Sequence, residues 1–251
     1  MYQSFVNLPH YGRRVRLMAL RGCHEMALTG ADTANAVELL ADLVCDAEGD
    51  AIEAAALTAG ERDRLLGALW QKLFGDRIYS TVQCRECDEK FDVDFLLSDL
   101  LGAVFGDGES TQPGPYHRLG CSFRLPVGHD EMAVAGLDPG EALDELVDRC
   151  VIDGECDDAQ QLVESFEQLS PVVDTQLSAS CAECGHDQQI GFDLQDYVLT
   201  AIANERSQLL FEVHALARSY GWNLDEILEL PRTDRKSLVR LATMETDRGA
   251  R

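Results

Sequence analysis

Two Cys-x-x-Cys pairs, Cys84-Arg85-Glu86-Cys87 and Cys181-Ala182-Glu183-Cys184, constrain this chain more than any other feature, because a fold must either bring them together or explain each alone. Each pair follows a segment with strand character, Arg77 to Gln83 and Asp174 to Ser180. Each is followed by a Phe-Asp dipeptide and an apolar run, Phe91-Asp92-Val93 after the first and Phe192-Asp193-Leu194 after the second. The same unit of strand, knuckle and return strand is therefore expected twice.

Two knuckles facing each other supply four thiolates at tetrahedral reach, the donor set of a closed structural zinc site. Cys84, Cys87, Cys181 and Cys184 are accordingly expected to ligate a structural Zn2+. The 93 residues between the pairs exceed the usual ribbon spacing, so the intervening segment reads as an insertion carried on the ribbon. Free thiols or two separate redox pairs fit less well, since redox Cys-x-x-Cys motifs open a helix in a βαβ setting that neither flank suggests. Cys23, Cys45, Cys121, Cys150 and Cys156 read as small buried hydrophobes, and His186 as a hydrogen-bonding partner near the metal rather than a ligand.

Four cysteines leave no coordination position for a reacting water, which argues against catalysis at the metal. The competing enzyme pattern is His129-Asp130-Glu131, an H-x-E that precedes a Cys-x-x-Cys in nucleobase deaminases. Here Ser180 rather than proline precedes Cys181, and recruiting that pair would strand Cys84 and Cys87. Neither a phosphate-binding glycine loop nor a G-x-S-x-G elbow is present.

Charge narrows the partners. The 251 residues carry 21 Lys+Arg against 45 Asp+Glu, a formal net charge of -24. Such a surface repels phosphates, so nucleic acid is not an expected partner. Only three of the basic residues are lysines and 25 of the acids are Asp, a strongly hydrated surface that suits a high-salt cytoplasm of the haloarchaeal kind. The ends differ from the middle: residues 1–22 are +4, residues 231–251 are +3, and the remainder holds -31. The basic ends are either ordinary mixed surface or segments that dock onto acidic neighbours. The N-terminus lacks the order of a signal peptide and no run approaches the roughly 18 apolar residues of a membrane span, so a cytoplasmic protein with no membrane partner is expected.

Along the chain, a strand is expected near 15–20 and a helix from Thr33 to Val44. Thr58-Ala59-Gly60-Glu61 has the form of a capping box and opens a helix through Leu65, Leu66, Leu69, Trp70 and Leu73, with Gly75 as its stop. A Gly/Pro-bearing loop at 106–115, a hairpin or strand at 117–126 and helices near 141–151 and 160–169 fill the insertion. Val198, Ile202, Leu209, Val213, Leu216 and Tyr220 share one face and define one long amphipathic helix ended by Gly221. Asn223 caps a short helix to Leu228, and a last helix starts near Asp234. The fold class is thus α+β: a zinc-ribbon-like β unit with a mixed insertion, flanked by helices, and a C-terminal helical module. The segments are 1–57 (strand and helix), 58–76 (helix leading into the ribbon), 77–193 (ribbon, with insertion 88–180) and 194–251 (helical module).

The segment Leu210 to Trp222, with Glu212-Val213-His214 and Tyr220-Gly221-Trp222, leads into Glu226-Ile227-Leu228-x-Leu230-Pro231. Together with Leu57-Thr58, Glu61-Arg62-Asp63, Leu69-Trp70, Phe74-Gly75, Phe123-Arg124-Leu125-Pro126, Asp130, Cys150 and both knuckles, this ordered combination resembles the phage baseplate hub assembly chaperone family of T-even type. That family occurs in contractile-tailed phages and contractile injection systems. The family often has Pro inside the knuckles, where this chain has Glu86 and Glu183, and Arg-Arg-x-x-Tyr near the end, where it has Arg235-Lys236-Ser237-Leu238.

The resemblance implies a non-enzymatic protein that assists assembly of a baseplate or is built into the finished particle, with baseplate or hub subunits as partners. Tyr220, Trp222, Ile227 and Leu230 are the expected partner-binding residues, presented by the C-terminal helices. The oligomeric state is left open. The alternatives are a zinc-dependent hydrolase or deaminase and a zinc-ribbon nucleic-acid adaptor.

Overall fold

The computed structural model describes residues 4–106, 113–154, 156 and 158–249. Most of the loop expected at 106–115 lies outside the described residues. In chain order the elements are β1 (Ser4–Leu8), β2 (Arg13–Leu17), α1 (Gly22–Ala27), α2 (Thr33–Leu43), β3 (Val44–Cys45), a 3-10 turn at Ala54–Ala56, and α3 (Ala59–Phe74). Then follow β4 (Arg77–Gln83), β5 (Lys90–Leu96), α4 (Leu97–Phe105), β6 (Tyr116–Arg118), β7 (Cys121–Phe123), α5 (Gly128–Val134), α6 (Pro139–Cys150) and β8 (Val151–Asp153). The chain closes with α7 (Ala159–Leu169), β9 (Asp174–Ser180), β10 (Asp187–Asp193), α8 (Leu194–Asn204), α9 (Arg206–Tyr220), α10 (Leu224–Leu228) and α11 (Arg232–Gly249). The class is α+β, and its sheets are small and antiparallel: β1-β2-β3, β6-β7-β8, and the separate hairpins β4-β5 and β9-β10.

Helix α3 is the centre of the largest core. Its N-terminus is closed by the expected capping box: the Glu61 N–H donates to Thr58 Oγ1 at 3.3 Å and the Thr58 N–H donates to Glu61 Oε2 at 3.2 Å. Gly75, at φ +90°, ends it in a conformation that side chains rarely adopt. Leu65, Leu66, Leu69 and Trp70 bury against α8, β1, α2 and α4. Burial extends around the helix to Arg62 and Asp63, so both need partners supplied by other segments. Arg62 donates to the Leu57 carbonyl at 3.1 Å and pairs with Glu131, while Asp63 accepts the Val173 N–H at 2.7 Å. A second core, around Phe123, Cys150, Leu162 and Phe166, holds β6, β7, α6 and α7 together.

The long helix expected after Leu194 is two helices. The chain breaks at Glu205 (φ -80°, ψ 2°), between α8 and α9. The apolar spacing runs unbroken through the break because both halves bury a stripe, but against different neighbours. Val198 and Ile202 of α8 belong to the α3 core, whereas Leu216 of α9 packs with Ile227 and Val239 in a core of its own. At the break, Glu205 pairs with Arg232 and with Lys236, the latter at 3.2 Å.

The basic C-terminal segment docks onto acids of its own chain. Arg232 pairs with Glu25 and Glu205; Arg235 pairs with Glu25 and, through Nε at 2.6 Å, with Glu212. Arg232, Arg235, Glu25 and Glu212 are all buried. With Lys236 the cluster balances three cations against three carboxylates, which is the condition for burying charge at tolerable cost. The Arg232 N–H donating to the Leu20 carbonyl at 2.8 Å completes the tie between the last helix and the N-terminal segment.

Candidate metal centre

The two knuckles sit at the tips of two β-hairpins that repeat one another. Every element of the first recurs in the second at a displacement of 97 residues: Arg77 to Asp174 for the first strand, Lys90 to Asp187 for the second, Leu97 to Leu194 for the helix that follows. The turns also match. The Cys84 N–H donates to the Glu89 carbonyl and the Asp88 N–H to the Cys84 carbonyl; the Cys181 N–H donates to the His186 carbonyl and the Gly185 N–H to the Cys181 carbonyl. The residue after each second cysteine, Asp88 (φ 59°) or Gly185 (φ 73°), takes the left-handed conformation that closes such a turn. His186 therefore serves the site through its main chain.

The structural register corrects the sequence pairing of Phe91 with Phe192. The counterpart of Phe192 is Phe95, and the two rings meet edge to face with centroids 5.2 Å apart at the base of the hairpins. Phe91 instead lies in the small core beside Cys84 and Cys181. Below the Phe95–Phe192 pair, the Tyr197 ring packs at a tilt against Phe192 and Trp70, and its hydroxyl donates to the Tyr79 carbonyl at 2.8 Å. An aromatic cluster thus fixes the hairpin bases, which in turn aims the tips at each other.

At the tips the Sγ atoms of Cys84, Cys87, Cys181 and Cys184 all lie within 4.8 Å of one another. Cys84 is 3.6 Å from Cys184 and Cys87 is 3.8 Å from Cys181. A tetrahedron of thiolates about 2.3 Å from a central ion has edges of about 3.8 Å, so the cluster fits a metal ion as it stands. Gln188, a buried side chain that no sequence pattern singled out, braces the two tips. Its Oε1 accepts the Arg85 N–H at 2.9 Å, and its amide donates to the Gln83 carbonyl at 3.1 Å.

The electrostatics of the cluster also favour a cation. The Cys87 N–H is the main influence holding the Cys84 thiol down, at about 6. Cys87 is lowered by the Glu89 N–H, yet burial and the three neighbouring sulfurs push it up to about 12. Cys184 is likewise raised overall, against the pull of the His186 N–H. Cys84 ionises readily while Cys87 and Cys184 resist, and a divalent ion would supply the charge that lets those two ionise as well.

The remaining sites differ in part from the sequence expectations. Cys45, Cys121 and Cys150 are buried as expected, but Cys23 and Cys156 are only half-buried. The His129-Asp130-Glu131 triplet is committed elsewhere. His129 pairs with Glu53 at 2.8 Å, Asp130 with Arg124 and Arg149, and Glu131 with Arg62 and the Thr33 hydroxyl. Among the expected partner-binding residues, Tyr220 stacks on Trp222 with centroids 4.9 Å apart, and Trp222 and Leu230 are half-buried. Ile227 is fully buried against Leu216 and Val239, so it supports the turn from beneath instead of presenting a surface. The most exposed apolar side chains of these helices lie outside the expected partner-binding set: Leu210, Phe211, Leu224, Leu241 and Met244, each more than half exposed.

Comparison with protein-family models, curated proteins and solved structures finds no match to this chain. No helix among the described residues is long and apolar enough to cross a membrane.

Proposed function

We propose that this chain is a non-enzymatic, zinc-stabilised protein that assists assembly of, or forms part of, the baseplate of a phage-tail-like contractile injection system. The hairpin pair is a zinc-ribbon-like unit in which Cys84, Cys87, Cys181 and Cys184 hold structural Zn2+. The observation that carries the non-enzymatic reading is the closed donor set: four sulfurs leave the ion no position for a substrate or a reacting water. Soft thiolate ligands in tetrahedral disposition favour zinc over the oxygen-seeking cations. The assembly reading is supported by the ordered residue combination described above. It is supported also by the apolar surface of the C-terminal helices, where Leu210 and Phe211 of α9 and Leu224 of α10 stand exposed beside the Tyr220–Trp222 stack.

Capture of the tagged protein from cells making contractile particles tests the reading. Baseplate or hub subunits are the expected co-purifying proteins, and probing purified particles for the chain separates a transient assistant from a permanent component. Recovery of the chain without any tail or baseplate protein would overturn the assembly role. Phe211→Ser should weaken the capture while leaving metal content unchanged. For the metal, one zinc per chain after chelator-free purification is expected.

A further inference from the structure

A cleft of about 580 Å³ lies where the β1–β2 turn, the first turns of α3, the end of α4 and the end of α7 converge; His10, Arg64, Phe105, Gln168 and Pro171 are among its walls. Most polar groups in it are already spent. The His10 ring is bonded to the Tyr116 hydroxyl at 2.9 Å and to the Leu169 carbonyl, and burial holds its pKa down, so it is a neutral wall. Glu61, the only carboxylate among the described lining residues, accepts main-chain N–H groups from His10 (2.8 Å), Tyr11 (2.7 Å) and Thr58 (3.2 Å). Ser170 donates to Thr58.

Arg64 is different. Its guanidinium carbon lies 4.0 Å from the centroid of the Phe105 ring, and among the described residues it has neither a hydrogen bond nor an ion pair. The arginines set deepest in the molecule, Arg62, Arg232 and Arg235, each hold a carboxylate. A guanidinium with its face on an aromatic ring is fixed in plane and offers its N–H edge, the geometry that takes a carboxylate in a two-point bond. Gln168 beside it also has no partner among the described residues. The other walls, Pro171 and the end of α4 among them, present mostly apolar side chains.

We infer that this cleft binds a monoanionic carboxylate carried on an apolar body, with Arg64 holding the carboxylate and the Phe105 side of the cleft receiving the body. A doubly charged phosphate fits less well, because Glu61 is close enough to oppose a second charge. The inference is independent of the baseplate reading.

Calorimetric titration of the full chain with 3-phenylpropionate and with its neutral isostere 3-phenylpropanamide tests the charge requirement. Acetyl-Gly-Gly-Phe with a free or an amidated C-terminus tests whether the carboxylate is a polypeptide end. At least one acid is expected to bind about tenfold or more tighter than its amide, the size of one charge-assisted two-point bond. Binding by the peptide acid alone assigns a polypeptide C-terminus, and binding by the small acid assigns a free carboxylate. Arg64→Met should erase the preference, and Arg64→Lys, which keeps the charge without the fork, should weaken it several-fold and serves if the first variant does not fold. Equal binding of acid and amide, no binding of either acid at millimolar concentration, or an undiminished preference in a folded Arg64 variant would overturn the inference.

Discussion

Asp63→Asn is expected to stabilise the protein at neutral and higher pH, an unusual direction for a change in a core. Asp63 is only 6% exposed on the central helix, and its Oδ2 accepts the Val173 N–H at 2.7 Å. Val173 in turn accepts the Leu194 N–H at 2.9 Å, so this contact anchors the base of the second cysteine-bearing hairpin. Burial is the largest influence on the carboxyl and raises it; the Val173 N–H and Arg62 lower it, Asp193 and Glu131 raise it, and the balance stands at about 7.

The folded pKa therefore lies above that of the unfolded chain, and folding binds a proton across the interval between them. The associated stability is fully present below about pH 4 and declines until about pH 7. A shift of about 3 units corresponds to about 4 kcal/mol as an upper figure. Asparagine keeps an oxygen for Val173 and cannot ionise, so the variant should match the wild type near pH 4 and exceed it by about 2–4 kcal/mol near pH 8. Urea unfolding of both proteins across this range, compared as a difference at each pH, cancels every other titrating group. A difference that does not grow with pH, or a variant weaker than wild type near pH 8, would refute the reasoning.

Arg235→Met leaves Glu25 and Glu212 short of a buried partner and should cost about 3–5 kcal/mol in urea unfolding, partly recovered by adding Glu212→Gln. Glu131→Gln removes the charge opposite buried Arg62 and should cost about 1–3 kcal/mol while metal content, measured by elemental analysis, stays unchanged. Cys84→Ser should do the reverse at the tips, lowering bound metal and raising hydrogen exchange in both hairpins, because each knuckle supplies half of the cluster. The charge of -24 should be screened by molar KCl, so the thermal midpoint is expected to rise with salt; a midpoint that falls or stays flat would argue against adaptation to high salt.

Much of this was legible in the chain because the signals are local. Thr58, Glu61 and Gly75 mark the ends of α3 by short-range hydrogen bonding and backbone freedom, and Asn223 marks α10 in the same way through Glu226. The hairpin strands before each knuckle carry their own strand character. A Phe-Asp dipeptide is a weak local match and sets the repeat four residues out of register, whereas the cysteines themselves fix the displacement that pairs Phe95 with Phe192. The break at Glu205 is invisible to periodicity, since a stripe spaced for one helix serves two helices with different neighbours. The short strand β1, with Val6 and Leu8 inward and Phe5 outward, offers too few alternations to stand out. Partners such as Glu25 and Arg235, 210 positions apart, carry no local mark at all.

That last separation has a consequence for the order in which the molecule is made. Glu25 is synthesised early, but the two guanidiniums that neutralise it arrive only with α11, and the second knuckle follows the first by 97 residues. On a nascent chain, α1 cannot settle with a naked carboxylate beneath it until α11 has emerged from the ribosome. Synthesis through α11 is thus built into the fold as a condition for α1 to close, and a product truncated before Arg232 would be exposed at α1 as well as at the cut.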